Sequence, residues 1–89
     1  MPNTRSAEKR VRVTAKRTLR NRMIRSRMKT AIRKYQAAVN EGNLQTATEL
    51  FRHAVSQIDR AAAKGVIHPN QASRRKARLA ARLNALQAG

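Results

Sequence analysis

Between Met1 and Asn40 the chain carries thirteen Lys or Arg and a single acid, Glu8, a net charge of +12 on forty residues. Charge of one sign at this density repels itself and weakens any fold to which it belongs. No other feature constrains the chain as tightly: the segment has room for only a thin apolar face, and a dense polyanion must supply the missing negative charge. Phosphate backbone is the obvious candidate, because neutralising it releases condensed counterions and drives salt-dependent binding. Arg outnumbers Lys fifteen to six over the whole chain. The guanidinium fork suits this role, since it grips phosphate bidentately or stacks on bases.

The remaining charge is uneven. Residues 61–89 add +6 from Lys64, Arg74, Arg75, Lys76, Arg78 and Arg82, while Glu41, Glu49, Arg52, Asp59 and Arg60 bring residues 41–60 to −1. Two basic ends around a near-neutral middle suggest two contact surfaces joined by a structural element. A chain of 89 residues makes one domain at most. It buries only about 60 % of the surface its unfolded form exposes. With Tyr35 and Phe51 the sole aromatics, the core must be Leu, Ile, Val and Met packed with Ala, and marginal stability without a partner is expected. There are no cysteines, which excludes disulfides, thiolate chemistry and Cys-based zinc sites and fits a reducing compartment. No apolar run approaches the roughly 20 residues that span a bilayer, and the N-terminal residues lack the apolar stretch of a secretory signal. A soluble, cytoplasmic protein is expected.

Strand signals are absent, and Gly and Pro total five residues: Pro2, Gly42, Gly65, Pro69 and Gly89. Their spacing predicts three helices, over about 6–40, 44–63 and 69–86. Ser6 can cap the first, with Glu8 in its first turn complementing the dipole. Ile24, Met28, Ala31, Ile32, Tyr35, Ala38 and Val39 form a clean helical stripe in its second half. In the first half the stripe thins to Val11, Ala15, Leu19 and Met23. Met23 and Met28 read as core or core rim. Asn43 caps the second helix, whose inner face is Leu44, Ala47, Phe51, Ala54, Ile58 and Ala61. Gly65 suits the left-handed position of a Schellman stop, with Val66 folding back on the last turn. Pro69 is a favoured first helical residue. Ala72, Leu79, Leu83 and Leu86 form the third stripe, and Gln87 to Gly89 should fray.

Geometry adds what composition alone does not show. At 1.5 Å per residue the first helix is about 50 Å long and the others about 27–30 Å, and short loops make neighbours antiparallel. The second helix therefore returns beside the first only as far as about Arg20 to Arg22. The expected fold is all-α, an antiparallel three-helix bundle with a long basic N-terminal helix overhanging it. The start of the third helix falls at the overhanging end, which brings Arg74, Arg75, Lys76 and Arg78 near it, with Glu41 at the opposite end.

Enzymatic signals are missing. Four scattered acids supply no carboxylate pair, and neither His53 nor His68 has a second ligand at metal spacing. No catalytic residue, metal, cofactor or small-molecule substrate is expected. His53 reads as a surface residue of the second helix. His68 is open between loop structure or capping and contact with RNA. Tyr35 could stack on a base, but its place in the stripe favours the core. Without an aromatic platform, single-strand binding is disfavoured. Recognition of backbone and shape in folded RNA or duplex remains.

The run Asp59-Arg60-Ala61-Ala62-Ala63-Lys64-Gly65-Val66-Ile67-His68-Pro69-Asn70, followed by Ala72, Arg74, Lys76 and Leu79, closely resembles the second-to-third-helix signature of the bacterial small-subunit ribosomal protein twenty family. Asn3, Ser6-Ala7, Lys9-Arg10, Lys16-Arg17, Asn21 and Lys29-Thr30-Ala31-Ile32-Arg33-Lys34 agree with its beginning. The match covers essentially the whole chain, and the Lys-Gly-hydrophobic-Ile-His element with Asn two residues on is its most specific part. Two departures are minor: Pro69 stands where a basic residue is common, and Asn43 replaces a frequent Asp at the cap.

The resemblance implies a three-helix bundle bound to 16S ribosomal RNA, contacting the 5′ domain and the long helix near the 3′ end early in small-subunit assembly. It places Asn3, Ser6, Lys9, Arg10, Lys16, Arg17, Asn21, Lys64, His68, Asn70, Arg74 and Lys76 against RNA. The charge pattern adds Arg5, Arg12, Arg20, Arg22, Arg25, Arg27, Arg75 and Arg78. The free protein is expected to be a monomer. A DNA-binding basic helix feeding a dimeric coiled coil would need apolar heptads over three or four repeats. The first helix offers about two. A nonspecific nucleic-acid neutraliser is the other alternative, and a membrane-active helix would need a Leu, Phe or Trp face that the basic half lacks.

Overall fold

The computed structural model describes residues 4–89, with side chains from Ala7 onward. Helix α1 spans Thr4–Asn40, α2 Leu44–Ala63 and α3 Pro69–Ala88, and no strand occurs among the described residues. The all-α expectation holds, with two changes at the ends. Helix α1 begins at Thr4, which puts Ser6 inside the first turn instead of at the cap and leaves Glu8 beyond that turn. Helix α3 stays regular to Ala88, where the Gly89 N–H closes on the Ala85 carbonyl at 3.0 Å. Nothing before Gly89 in this Ala-rich end breaks the helix.

The two turns are built from the residues that the sequence singles out. Gly65 has φ 74°. Around it the Val66 N–H reaches back to the Ala61 carbonyl (2.8 Å) and the Gly65 N–H to the Ala62 carbonyl (3.0 Å), the Schellman pattern. The α1–α2 turn repeats it: Gly42 has φ 75°, its N–H meets the Val39 carbonyl, and the Asn43 N–H meets the Ala38 carbonyl at 3.2 Å. Asn43 also caps α2, its side chain accepting from the Thr46 N–H at 3.2 Å. One residue thus closes one helix with its backbone and opens the next with its side chain.

Helix α2 lies in the middle and packs on both neighbours. The facing stripes repeat at four and three residues: Ile24, Met28, Ala31, Tyr35 and Ala38 on α1, and Ala47, Phe51, Ala54, Ile58 and Ala61 on α2. Such spacing gives coiled-coil-like packing, and large residues alternating with alanine let the faces interdigitate. Met28, Tyr35 and Ile58 are the largest fully buried side chains. Val66, Ile67, Ala72, Leu79 and Leu83 complete the core from the α3 side. Burial of each large apolar side chain contributes about 1.5–3 kcal/mol.

Tyr35 joins all three helices. It stands on α1, its ring lies 5.7 Å from that of Phe51 on α2, and its hydroxyl donates to the Leu79 carbonyl on α3. Burial raises its pKa above the ordinary 10.0, against the lowering influence of the nearby Arg82 charge. The phenol therefore stays a neutral donor.

Beyond Ile24 in the N-terminal direction every residue from Ala7 to Met23 is exposed. Met23, expected at the core rim, is 48 % exposed; it stands about 100° around the helix from Ile24, off the buried row. Val11 and Leu19 are exposed as well. The molecule measures 68 × 21 × 14 Å, and its radius of gyration is 17.9 Å, against about 12 Å for a compact chain of this length.

Replacing Tyr35 by Phe should lower stability at neutral pH by about 1 kcal/mol, one buried hydrogen bond. Because the folded pKa lies above the unfolded one, this contribution is present below pH 10.0 and is lost as pH rises through the folded value. Urea unfolding of both proteins at neutral pH and above pH 10 should show the gap between them narrowing; a constant gap would contradict the neutral-donor role.

Candidate nucleic-acid interface

The overhang of α1 carries Lys9, Arg10, Arg12, Lys16, Arg17, Arg20 and Arg22 against Glu8 alone, all of them exposed. Arg12, Lys16 and Arg20 follow one another at four-residue steps, the spacing at which like charges repel by about 0.2–0.5 kcal/mol per pair. Glu8 and Arg12 are the one favourable four-step pair. Asn21, also exposed, belongs to the same stretch. Of the remaining expected contacts, Asn3 lies outside the described residues, and so do the side chains of Arg5 and Ser6, whose backbone is helical.

Where the overhang meets the bundle, the expected residues diverge. The Arg25 guanidinium donates to the Val66 carbonyl at 3.3 Å. This bond pins the α2–α3 turn against α1 and gives Arg25 a structural duty besides its charge. Arg27, two residues on, faces the other way and lies beside His53 and Gln57 of α2.

The pinned turn carries the second group. Lys64 is the exposed C-cap of α2, and its N–H bonds back to the Arg60 carbonyl. His68 resolves as a cap: its Nδ1 accepts from the Asn70 N–H at 3.1 Å, with φ −72° and ψ 144°. An accepting Nδ1 requires neutral imidazole with its proton on Nε2, so a donor remains on the exposed side. His68, Asn70, Gln71, Arg74, Arg75 and Arg78 line a cleft of about 420 Å³ at the start of α3. No acid occupies the first turn of α3, so the free amide ends and the arginines give this end of the helix one sign of charge, the sign that attracts an anion. The Nε of Arg75 is buried and has no hydrogen-bond partner.

Lys76 departs from this group. It stands on the opposite flank of α3 and pairs with Asp59 of α2 at 2.8 Å. Its charge is already answered within the protein, and it lines no part of the cleft. The family resemblance places Lys76 among the RNA contacts, and neither the resemblance nor the charge pattern selects Gln71. Three residues before Arg74 and four before Arg75, Gln71 shares their face by helical spacing, and that was the signal for it.

The arrangement presents donors and cations with no nucleophile, and among the described residues no three of His, Asp and Glu gather as metal ligands. Its chemistry suits a polyanion. Two substitutions test the turn that organises it. A Cβ at position 65 meets nothing within 4 Å, so Gly65→Ala should cost only the left-handed backbone strain, about 1–2 kcal/mol. His68→Ala removes the cap and should cost about 1 kcal/mol. Denaturant midpoints measure both, and an unchanged midpoint for His68→Ala would show that the cap contributes nothing.

Comparison with known proteins follows the same outline. A sequence model of the family described as Ribosomal protein S20 matches residues 2–84. The chain is 51 % identical over 86 residues to the small ribosomal subunit protein bS20 of Clostridium perfringens, covering 97 % of this chain and 99 % of the relative. It is 58 % identical over 80 residues to that of Roseiflexus sp., covering 90 % and 87 %. To that of Clostridium kluyveri it is 50 % identical over 88 residues, covering 99 % and 100 %.

Proposed function

The chain belongs to the ribosomal protein S20 family, and from that premise we propose that it binds 16S ribosomal RNA directly and clamps converging RNA segments together. As a member it is a structural constituent of the small ribosomal subunit and not an enzyme. The observation that carries the proposal is the bare stretch of α1, where seven cations and one acid from Ala7 to Met23 stand free of any protein surface. A helix in that state is held by its own hydrogen bonds alone, against repulsion along Arg12, Lys16 and Arg20. RNA phosphates on more than one side of it relieve that repulsion. The α3 cleft supplies a second contact, at the same end because Arg25 holds the turn there.

The RNA segments are taken to be the 5′ domain and the 3′ region, joined during assembly, with the free protein a monomer. Coupled ordering is part of the proposal, since an isolated helical segment of this length is marginal in water. The DNA-binding alternative loses its support, because Ile24, Met28, Ala31, Tyr35 and Ala38, the stripe a dimeric coiled coil would use, are buried inside the bundle.

Binding to 16S RNA in competition with excess unrelated structured RNA, over a salt series, tests the proposal. Preference for 16S RNA that persists as salt rises is expected; equal competition would reduce the protein to a general neutraliser. The triple variant Arg12→Ala, Lys16→Ala, Arg20→Ala should move two readouts in opposite directions. Helicity of the free protein by circular dichroism should rise as the like-charge row is removed. The slope of log K against log salt should fall by about 0.7–0.9 per lost phosphate contact. A loss of helicity together with a loss of binding would instead mark these side chains as structural.

A further inference from the structure

The cations of α1 beside the bundle lie on two flanks. Arg25 and Arg27 are two residues apart, about 200° around the helix. Arg25 reaches to the α3 side, whereas Arg27 opens onto a groove between α1 and α2. This groove, about 260 Å³, is lined by Ser26, Arg27, Thr30 and Lys34 of α1 and by His53 and Gln57 of α2, with Ala31 at its floor. Arg27, Thr30 and Lys34 follow at three and four residues, so they form one row about 10 Å long. His53 and Gln57 face them from one turn of α2.

Every polar side chain in the lining can donate a hydrogen bond, and no carboxylate is among them. The one ion pair among the described residues, Lys76 with Asp59, lies across the bundle on the α2–α3 flank, and neither Arg27 nor Lys34 has an acid partner. Glu49, one turn before His53 on α2, is not part of the lining. Ala31 is the only apolar residue of the lining, and a hydrophobic anchor would find no large side chain there to pack against. The groove's chemistry fits a sugar-phosphate strand: two cations spaced along a row, one hydroxyl between them and another beside them, and an amide and an imidazole opposite.

We infer that the α1–α2 groove is a further RNA-backbone site, which takes a strand distinct from the one at the α3 cleft. This inference rests on the RNA-binding function proposed above. The bundle would then act as a spacer, its narrow dimensions of 21 and 14 Å setting how closely the two strands approach. His53 becomes a contact residue, and Ser26, Thr30, Lys34 and Gln57 join Arg27 in the interface.

The full-length protein bound to 16S RNA provides the test. Arg27→Ala with Lys34→Ala should lower the salt slope by about 1.4–1.8, for two lost phosphate contacts. The control pair Lys29→Ala with Arg33→Ala, exposed cations outside the groove, should change it by less than half as much. Equal changes would overturn the site, because long-range attraction alone would then explain both. The chain has no cysteine, so Ser26→Cys and Asn70→Cys each carry a unique tether for directed hydroxyl-radical cleavage. Cleavage of two different RNA segments from the two tethers is expected. Cleavage from Asn70→Cys but none from Ser26→Cys, or the same segment from both, would sink the inference and leave the proposed function standing. Failure of the unsubstituted protein to prefer 16S RNA would instead remove the premise.

Discussion

Helix α1 has 37 residues, and the two helices that could cover it have 20 each. This mismatch in length governs the rest of the structure. An α-helix closes its backbone hydrogen bonds within itself, so α1 can continue past its partners without leaving unpaired peptide groups in a core. What it gives up there is tertiary packing, which supplies most helical stability in proteins. The residues obey that division. From Ile24 onward an apolar seam meets α2 and α3, and before it the apolar positions are few and the cations many. The bundle acts as a base, and the overhang is held out from it.

The base is small, so its ends carry more responsibility than in a larger domain. Two Schellman turns at Gly42 and Gly65 reverse the chain within a few residues, and Asn43 and His68 start the following helices. The second turn does more than connect. Because Arg25 bonds to the Val66 carbonyl, the capped start of α3 and its arginines stay at the root of the overhang. Tyr35, tied to α2 by ring contact and to α3 by its hydroxyl, holds the middle of the same assembly.

Charge is distributed by the same logic. Acids are scarce, and the one ion pair formed among the described residues, Asp59 with Lys76, sits between α2 and α3. No other cation among the described residues has an acid partner, on the overhang or along either flank of the bundle. Like charges without internal partners repel one another, and a polyanionic environment would relieve that repulsion, which is consistent with membership of the small ribosomal subunit.

Much of this was legible in the chain itself, and the reasons are local. Helix limits followed from Gly42, Gly65 and Pro69, caps from Asn43, and the buried stripe from 3.6-residue spacing. The overhang followed from helix lengths alone, and the resemblance to the family rested on short contiguous motifs. The sequence puts the start of α1 at about Ser6, because a polar residue before a helical run reads as a cap, and the helix includes Thr4 and Arg5 as well, where nothing prevents it. Met23 reads as core rim because it continues the thin stripe of Val11, Ala15 and Leu19, but the buried row begins at Ile24, about 100° around the helix from it. The pairing of Lys76 with Asp59, the bond from Arg25 to Val66 and the joining of His53 to Arg27 and Lys34 all unite residues from different helices. Periodicity orders side chains around one axis; only the packing of three axes decides which flanks meet, and so which charges are answered inside the protein and which remain for a partner.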